Sequence, residues 1–206
     1  MIVEWSDIRV YTIIDEKNTY IDETVKIGEG CIIYPNVMIK GKTTIGDNTI
    51  IYMGSYIENS IIGKNNKIYT SYVIESVLGD GNQIGPYAYV RPGNKMEDDN
   101  KIGSFVEIKN SELKNHVKIP HLSYVGDTSI ESNVNIGAGV KIANFDGKKK
   151  HRTVIKEDSF IGCNAVLVAP VTLNKNSFIA AGSTITMDVP ENTLAIARER
   201  QINKEL

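Results

Sequence analysis

An aliphatic residue recurs at every sixth position along most of this 206-residue chain. The first run is made of isoleucine alone, and one-residue slips later in the chain do not end the pattern. A period of six matches neither the roughly 3.6 residues of a helical turn nor the alternation of an ordinary surface strand. It predicts a coil in which each short strand turns one aliphatic side chain inward before a corner. The first run consists of Ile21, Ile27, Ile33, Ile39, Ile45, Ile51 and Ile57.

Three such strands would close one triangular turn of about eighteen residues, and stacked turns would bring the aliphatic residues into one core. Neighbouring turns should lie ~4.8 Å apart, the spacing of paired strands. Glycine often follows the repeated aliphatic, as at Gly28, Gly46 and Gly63, which suits tight corners. A β-sandwich is the alternative, but sandwiches lack a strict six-residue period. The sequence therefore predicts an all-β fold, a single-stranded parallel β-helix of hexapeptide repeats, whose hand the periodicity does not give.

The limits of the periodic pattern predict how the chain is organised. We expect residues 1–20 to cap the coil and residues 21–189 to form the β-helix. Residues 190–206 should form a short C-terminal tail with some helical propensity. Two interruptions, at residues 91–101 and 143–154, are expected to be loops, and loops of repeat proteins often carry function.

The composition excludes several classes of protein. The net charge is −2 with both signs interspersed, which disfavours a broad nucleic-acid surface. No run of about eighteen apolar residues predicts a membrane span, and the N-terminus does not resemble a signal peptide. The two cysteines, Cys31 and Cys163, match no disulfide or metal-binding spacing. We therefore expect a reduced, cytoplasmic protein that binds no metal, membrane or nucleic acid.

Long ordered motifs in the second half of the chain point to a family. They include YVRPG, IGSFVEIKNS, PHLSYVGD and NFDGKKKHRTVI. From Tyr89 to Glu205 the chain resembles the acetyltransferase half of the bifunctional N-acetylglucosamine-1-phosphate uridylyltransferase/glucosamine-1-phosphate acetyltransferase family, and weaker similarity reaches back to about Val10. The resemblance implies a left-handed β-helix, a homotrimer, and acetyl transfer from acetyl-CoA to a hexosamine 1-phosphate, first of all glucosamine 1-phosphate. The glycine-rich nucleotide loop of that family is absent, so uridylyl transfer is not expected.

The motif HLSYVGD places His121 where the family has its general base. An imidazole can accept the proton of a hexosamine amine while the nitrogen attacks a thioester carbonyl. Pro120 stands where we expect a small residue, which changes the shape of the acceptor pocket. His116 and His151 lie outside the matching positions and remain unassigned.

The resemblance also assigns residues to the two substrates. Cationic side chains suit a phosphate, and small residues would let a pantetheine arm lie close to the backbone. Phe145 replaces the usual tyrosine, and Cys163 replaces the serine of some members and is interpreted as a small CoA-facing residue. The acceptor residues are Arg91, Lys109, Tyr124, Asn135 and Lys150. The acetyl-CoA residues are Ala138, Asn144, Phe145, Cys163, Ala181 and Arg198.

Three other functions stay open at this point. The acceptor could be galactosamine 1-phosphate or a nucleotide-linked amino sugar. The chain could instead be a non-catalytic partner of a separate nucleotidyltransferase. A zinc hydrase resembling γ-class carbonic anhydrase is a third, because His116 and His121 have the required spacing of five residues. That enzyme needs a third histidine upstream, however, whereas His151 lies downstream.

Overall fold

The computed structural model describes residues 10–205, so the predicted cap lies partly outside the described residues. Within that range the chain forms thirty short parallel β-strands and a single 3-10 turn at Glu16–Asn18. Asp15 caps this turn, since its carboxylate accepts hydrogen bonds from the backbone N–H groups of Lys17 and Asn18. Between residues 10 and 205 no helix is long and apolar enough to cross a bilayer.

The strands are arranged on three faces that the chain visits in rotation. Face A consists of β1 (Thr12–Ile13), β4 (Ile32–Ile33), β7 (Ile50–Ile51), β10 (Lys67–Ile68), β13 (Gln83–Ile84), β16 (Lys101–Ser104), β19 (Lys118–His121), β22 (Asn135–Ile136), β25 (Phe160–Ile161), β28 (Phe178–Ile179) and β30 (Leu194–Ala195). Face B consists of β2 (Tyr20–Ile21), β5 (Met38–Lys40), β8 (Tyr56–Glu58), β11 (Tyr72–Ile74), β14 (Tyr89–Val90), β17 (Glu107–Lys109), β20 (Tyr124–Gly126), β23 (Lys141–Ala143), β26 (Val166–Val168) and β29 (Thr184–Ile185). Face C consists of β3 (Lys26–Ile27), β6 (Thr44–Ile45), β9 (Ile61–Ile62), β12 (Val77–Leu78), β15 (Lys95–Met96), β18 (Glu112–Leu113), β21 (Thr128–Ile130), β24 (Thr153–Ile155) and β27 (Val171–Leu173).

Every third strand pairs in register, and this register builds the core. On face A, Ile33 pairs with Ile51, Ile51 with Ile68, and Ile68 with Ile84, and all four are fully buried. Equivalent ladders on faces B and C point towards the same axis, so one continuous aliphatic core fills the coil. The predicted hexapeptide β-helix is thereby confirmed, and the chain is a left-handed parallel β-helix.

The corners explain the turn-forming residues between the aliphatic positions. Most non-glycine residues with positive φ in the described chain are asparagine or aspartate, whose short side chains tolerate this conformation. Tyr87, Phe105 and Leu122 are exceptions, with φ of 58°, 57° and 52°. These three bulky side chains follow successive face A strands, where they form an exposed apolar ridge at the edge that leads into face B.

Two expectations about irregular segments differ from the structure. Residues 91–101 are not a loop, because β15 lies within them and Met96 takes an ordinary core position with 3% of its surface exposed. The twelve steps from Val90 to Ile102 are simply two repeats in which methionine replaces isoleucine. Residues 196–205 form no helix, despite their propensity, because a short helix without a packed face is marginal.

The second expected loop does leave the coil. Residues 144–152 separate β23 from β24 and are closed by an antiparallel bridge between Phe145 and Lys150. Strand pairing runs from Thr12 to Ala195, so it begins inside the predicted cap and ends inside the predicted tail.

The neighbouring residues Ile61 and Ile62 of β9 allow a test of which strand residues point into the core. Ile61 is 54% exposed, whereas Ile62 is 1% exposed. Ile62→Ala should lower the free energy of unfolding by about 2–5 kcal/mol, since it leaves a cavity in the core. Ile61→Ala should change it by less than about 0.5 kcal/mol. Urea titrations followed by circular dichroism measure both variants. Equal losses would contradict the described register.

Candidate active site

His121 lies at the A/B edge, where face A turns into face B. It is the last residue of β19, it pairs with Ser104 of β16, and its side chain is exposed. Its carbonyl oxygen accepts hydrogen bonds from Ser123 Oγ at 2.8 Å and from the backbone N of Gly139 at 3.2 Å. The backbone below the imidazole is therefore fixed, while the side chain itself is exposed to solvent.

A column of small side chains continues from His121 along the A/B edge. The strand register of face A places Ala138, Cys163 and Ala181 at the equivalent position of the next three coils. With ~4.8 Å between coils, this column extends roughly 14 Å from the histidine. Because none of these side chains is larger than a thiol, an extended chain could lie along the backbone here.

The C-terminal segment returns to the same edge. Ala197 donates its backbone N–H to Ser183 Oγ at 3.1 Å and accepts a hydrogen bond from the backbone N of Thr184 at 3.2 Å. These contacts place Arg198 beside Gly182, whose ideal Cβ position lies 3.7 Å from Arg198 Cδ. The guanidinium is thus near the far end of the small-residue column, on the side away from His121.

A second group of predicted residues lies at the B/C edge. Lys109 ends β17, Arg91 follows β14 in the preceding coil, and Lys150 comes from the 144–152 loop. The neighbouring Lys150 ammonium lowers the pKa of Lys109, and the Arg91 guanidinium acts in the same direction. Arg91 also forms an ion pair with Glu107 at 2.7 Å. Three cations therefore crowd one edge with a single carboxylate ion pair among them.

Polar residues of successive coils lie next to these cations. Asp127 is buried, and its carboxylate accepts hydrogen bonds from Asn110 Nδ2 and Asn144 Nδ2, both at 2.5 Å. The hydroxyl of Tyr124 lies 3.4 Å from Asn144 Nδ2. Asn110 and Asp127 are not among the residues that the sequence suggests. Their only sequence signal is the position after a face B strand, where asparagine and aspartate also serve as plain corner residues.

His151, which the sequence leaves unassigned, holds the loop that carries Lys150. Its Nε2 lies 2.6 Å from Asp146 Oδ2, and its backbone N donates to the carbonyl oxygen of Asn144 at 2.7 Å. Asp146 also accepts from the backbone N–H groups of Lys148 and Lys149, each at 2.8 Å. Hydrogen bonding to His151 and then to these two amides lowers the pKa of Asp146 to about 2.

The structure places several residues elsewhere than the sequence suggests. Asn135 begins β22 on face A, between Lys118 and Phe160 of the adjoining strands. Phe145 projects from the 144–152 loop, more than half exposed, and so lies with the B/C group and not with the small-residue column. His116 lies at the C/A edge, opposite His121 across face A, so the two histidines do not converge as a zinc pair would.

The two groups lie at opposite edges of face B. Lys109 pairs with Gly126 at the end of β20, whereas His121 precedes that strand. Gly126 lies five positions after His121, on the order of 15 Å of extended chain. The single chain thus carries two separate groups of predicted residues, one with the imidazole and small-residue column and one with the cations and amides.

Two family descriptions match parts of the chain. The GMPPB C-terminal domain matches residues 15–93, and the bacterial transferase hexapeptide (six repeats) matches residues 152–186. Over 194 residues the chain is also 51% identical to the bifunctional protein GlmU of Clostridioides difficile strain 630 and 48% identical to that of Clostridium botulinum strain Kyoto. Each match covers 94% of this chain and 42% of the relative, so the chain spans less than half the length of these proteins.

Solved structures share the fold. The chain superposes on LpxA, a UDP-N-acetylglucosamine acyltransferase from Bacteroides fragilis, with a TM-score of 0.65 and 20% identity, covering 88% of this chain and 70% of that one. For the Francisella novicida UDP-N-acetylglucosamine acyltransferase the TM-score is 0.56 at 22% identity, covering 90% and 67%. At these identities the likeness concerns the β-helix itself.

Asp146→Asn should free the 144–152 loop, because it removes the charge that accepts the amides of Lys148 and Lys149. Hydrogen exchange of those two amides should become several-fold faster, while Val154 in β24 serves as an internal control. In the unchanged protein, the lowered pKa means that these bonds are present above about pH 4 and are lost as the pH falls through about 2. Unchanged exchange in the variant would contradict this role.

Proposed function

We propose that this chain, which belongs to the hexapeptide-repeat family of the bifunctional GlmU proteins, transfers the acetyl group of acetyl-CoA to the amine of a hexosamine 1-phosphate. Glucosamine 1-phosphate is the first choice of acceptor, and galactosamine 1-phosphate or a nucleotide-linked amino sugar is the alternative. A nucleotidyltransferase activity would act on the product, and the acetyl transfer would take place in the cytoplasm.

The observation that carries this proposal is the crowding of cations at the B/C edge. Arg91, Lys109 and Lys150 repel one another, as the lowered pKa of Lys109 reflects. Such a cluster is costly unless an anion binds, and a phosphate with two negative charges would relieve the repulsion through charge-assisted hydrogen bonds. The amine of the same small sugar would then lie near Tyr124 and Asn144, the polar groups beside the cations.

The chemistry assigned to His121 is a proton transfer. Its imidazole takes a proton from the amine while the nitrogen forms a bond to the thioester carbonyl carbon and the C–S bond breaks. The proton then passes from the imidazolium to the departing thiolate, so charge and atoms balance. Transfer is direct, with no acetyl-enzyme, because no base lies beside Cys163 in the described structure to activate its thiol.

The separation of the His121 group from the cationic group supports a cyclic homotrimer in which the site forms between copies. The His121 edge of one copy would face the cationic edge of its neighbour, with the column of small residues binding acetyl-CoA between them. The exposed ridge of Tyr87, Phe105 and Leu122 lies on the His121 edge, where a neighbour would cover it.

Loss of the imidazole should abolish most of the activity. His121→Ala should lower kcat by roughly 10² while acetyl-CoA affinity is unchanged, because only the proton transfer is lost. The assay follows CoA release with glucosamine 1-phosphate, galactosamine 1-phosphate and UDP-linked amino sugars as competing acceptors. His116→Ala, at the opposite edge of face A, is the matched control and should remain active. Full activity of His121→Ala, or no release with any of these acceptors, would overturn the proposal.

Mixing two inactive variants tests whether the site is shared. In a cyclic trimer of His121→Ala and Lys109→Ala chains, every mixed assembly has one intact pairing of His121 with a neighbour's Lys109. Random co-assembly should therefore recover about a quarter of the unmodified activity at low acceptor concentration. Differently tagged chains allow mixed trimers to be purified, and each variant assembled with itself provides the baseline. No recovery would mean that one chain supplies both residues.

A further inference from the structure

The backbone of Asp127 is held in place independently of its side-chain contacts. The residue is 8% exposed and adopts a φ of 52°, a conformation that suits aspartate at a corner. Its backbone N donates to the carbonyl oxygen of Lys109 at 3.0 Å, and its own carbonyl accepts from the backbone N of Thr153 at 3.1 Å. A substitution that preserves shape should therefore change the contacts of the carboxylate without moving the chain.

The charge of Asp127 dictates how Asn144 is oriented. An ionised carboxylate only accepts hydrogen bonds, so the amides of Asn110 and Asn144 must both direct their NH2 groups towards it. The Nδ2 of Asn144 also lies 3.4 Å from the hydroxyl of Tyr124. Its other atom, Oδ1, accepts no hydrogen bond from any group among residues 10–205. The NH2 group of Asn144 thus donates to Asp127, while its oxygen is left without a donor among these residues.

The neighbouring Gly126 provides the room that this arrangement needs. A Cβ at position 126 would lie 2.5 Å from the hydroxyl oxygen of Tyr124 and 2.6 Å from Asn144 Nδ2. Any other residue would push both side chains away from Asp127. The dipeptide Gly126–Asp127 therefore combines the space and the charge that fix the amide.

We propose that Asp127 is a positioning residue that holds the Asn144 amide with its oxygen towards the acceptor amine. The inference rests on the proposed function. It assigns to the side-chain oxygen of Asn144 the role of accepting a hydrogen bond from the acceptor amine. An oxygen acceptor can bind one N–H of the attacking amine and so aim the nitrogen lone pair. It cannot stabilise a developing oxyanion, which requires a donor. Asn144 therefore orients the nucleophile and leaves the thioester oxygen to other groups.

Asp127→Asn removes the reason for this orientation. One donor of the new amide would face the NH2 of Asn144 or Asn110, so the Asn144 amide would turn or move. We expect kcat to fall at least tenfold with a smaller change in the KM for glucosamine 1-phosphate, because Arg91, Lys109 and Lys150 stay in place although Lys109 loses the favourable charge of the Asp127 carboxylate. Gly126→Ala should also lower kcat, because it displaces the Asn144 amide together with the Tyr124 hydroxyl. Asp99→Asn is the control, since Asp99 is another corner aspartate with a φ of 56°.

A double variant separates positioning from simple loss of structure. In Asp127→Asn combined with Asn144→Asp, the new amide at 127 can donate to the carboxylate at 144 and accept from Asn110. The carboxylate still presents an oxygen to the amine, so kcat should return to within about threefold of the unmodified value. A double variant no better than Asp127→Asn, with both folded by circular dichroism, would overturn the proposal.

A second readout does not depend on activity. In asparagine-labelled protein, the side-chain NH2 signals of Asn144 should shift strongly in Asp127→Asn and stay in place in Asp99→Asn. Unchanged signals would refute the orientation even if acetyl transfer is observed. If the Asn144 signals shift as expected in Asp127→Asn but the unmodified protein acetylates no amino sugar, the proposed function is overturned and, with it, the contact to the amine.

Discussion

The in-register stacking of short parallel strands is the interaction on which the rest of the structure depends. Each strand of two to four residues is too short to be stable alone, and the hydrogen bonds to the coils above and below hold it in place. The aliphatic ladders supply the burial that offsets the ordering of the chain. Because the register is fixed, any position on the outside of one coil has a defined neighbour about 4.8 Å away in the next.

This geometry converts sequence spacing into columns of side chains. His121 and Ala138 are seventeen residues apart, and Ala138 and Cys163 are twenty-five apart because the 144–152 loop intervenes, yet all three occupy one edge. The same stacking places Asn110 and Asp127 in successive coils at another edge. The fold thus sorts polar residues by the corner they follow, which separates the imidazole from the cations within one chain.

The sequence alone predicted the coil, because one buried aliphatic per strand leaves a direct trace in the spacing. It misjudged residues 91–101, because the many polar residues around Met96 suggested a loop although Met96 keeps the six-residue period and takes a core position. The residues with matching motifs could be assigned to substrates, but which of them share an edge depends on the register, which one-residue slips and a loop alter. Asp127 escaped notice and His151 stayed unassigned, because a corner aspartate and a loop histidine carry no pattern that separates a functional contact from a structural one.

Contacts between adjacent coils alone determine how the length of such a protein can change. The coils before Tyr89 contain none of the proposed substrate contacts, and each touches only the coils beside it. Whole turns could therefore be added or removed there, altering the length of the prism while every downstream residue keeps its partners. A change of one residue, by contrast, has to be absorbed at a corner, as it is between Ile51 and Ile68, which are seventeen residues apart and still pair in register. The length of the coil therefore changes in whole turns, and the corners take up smaller differences.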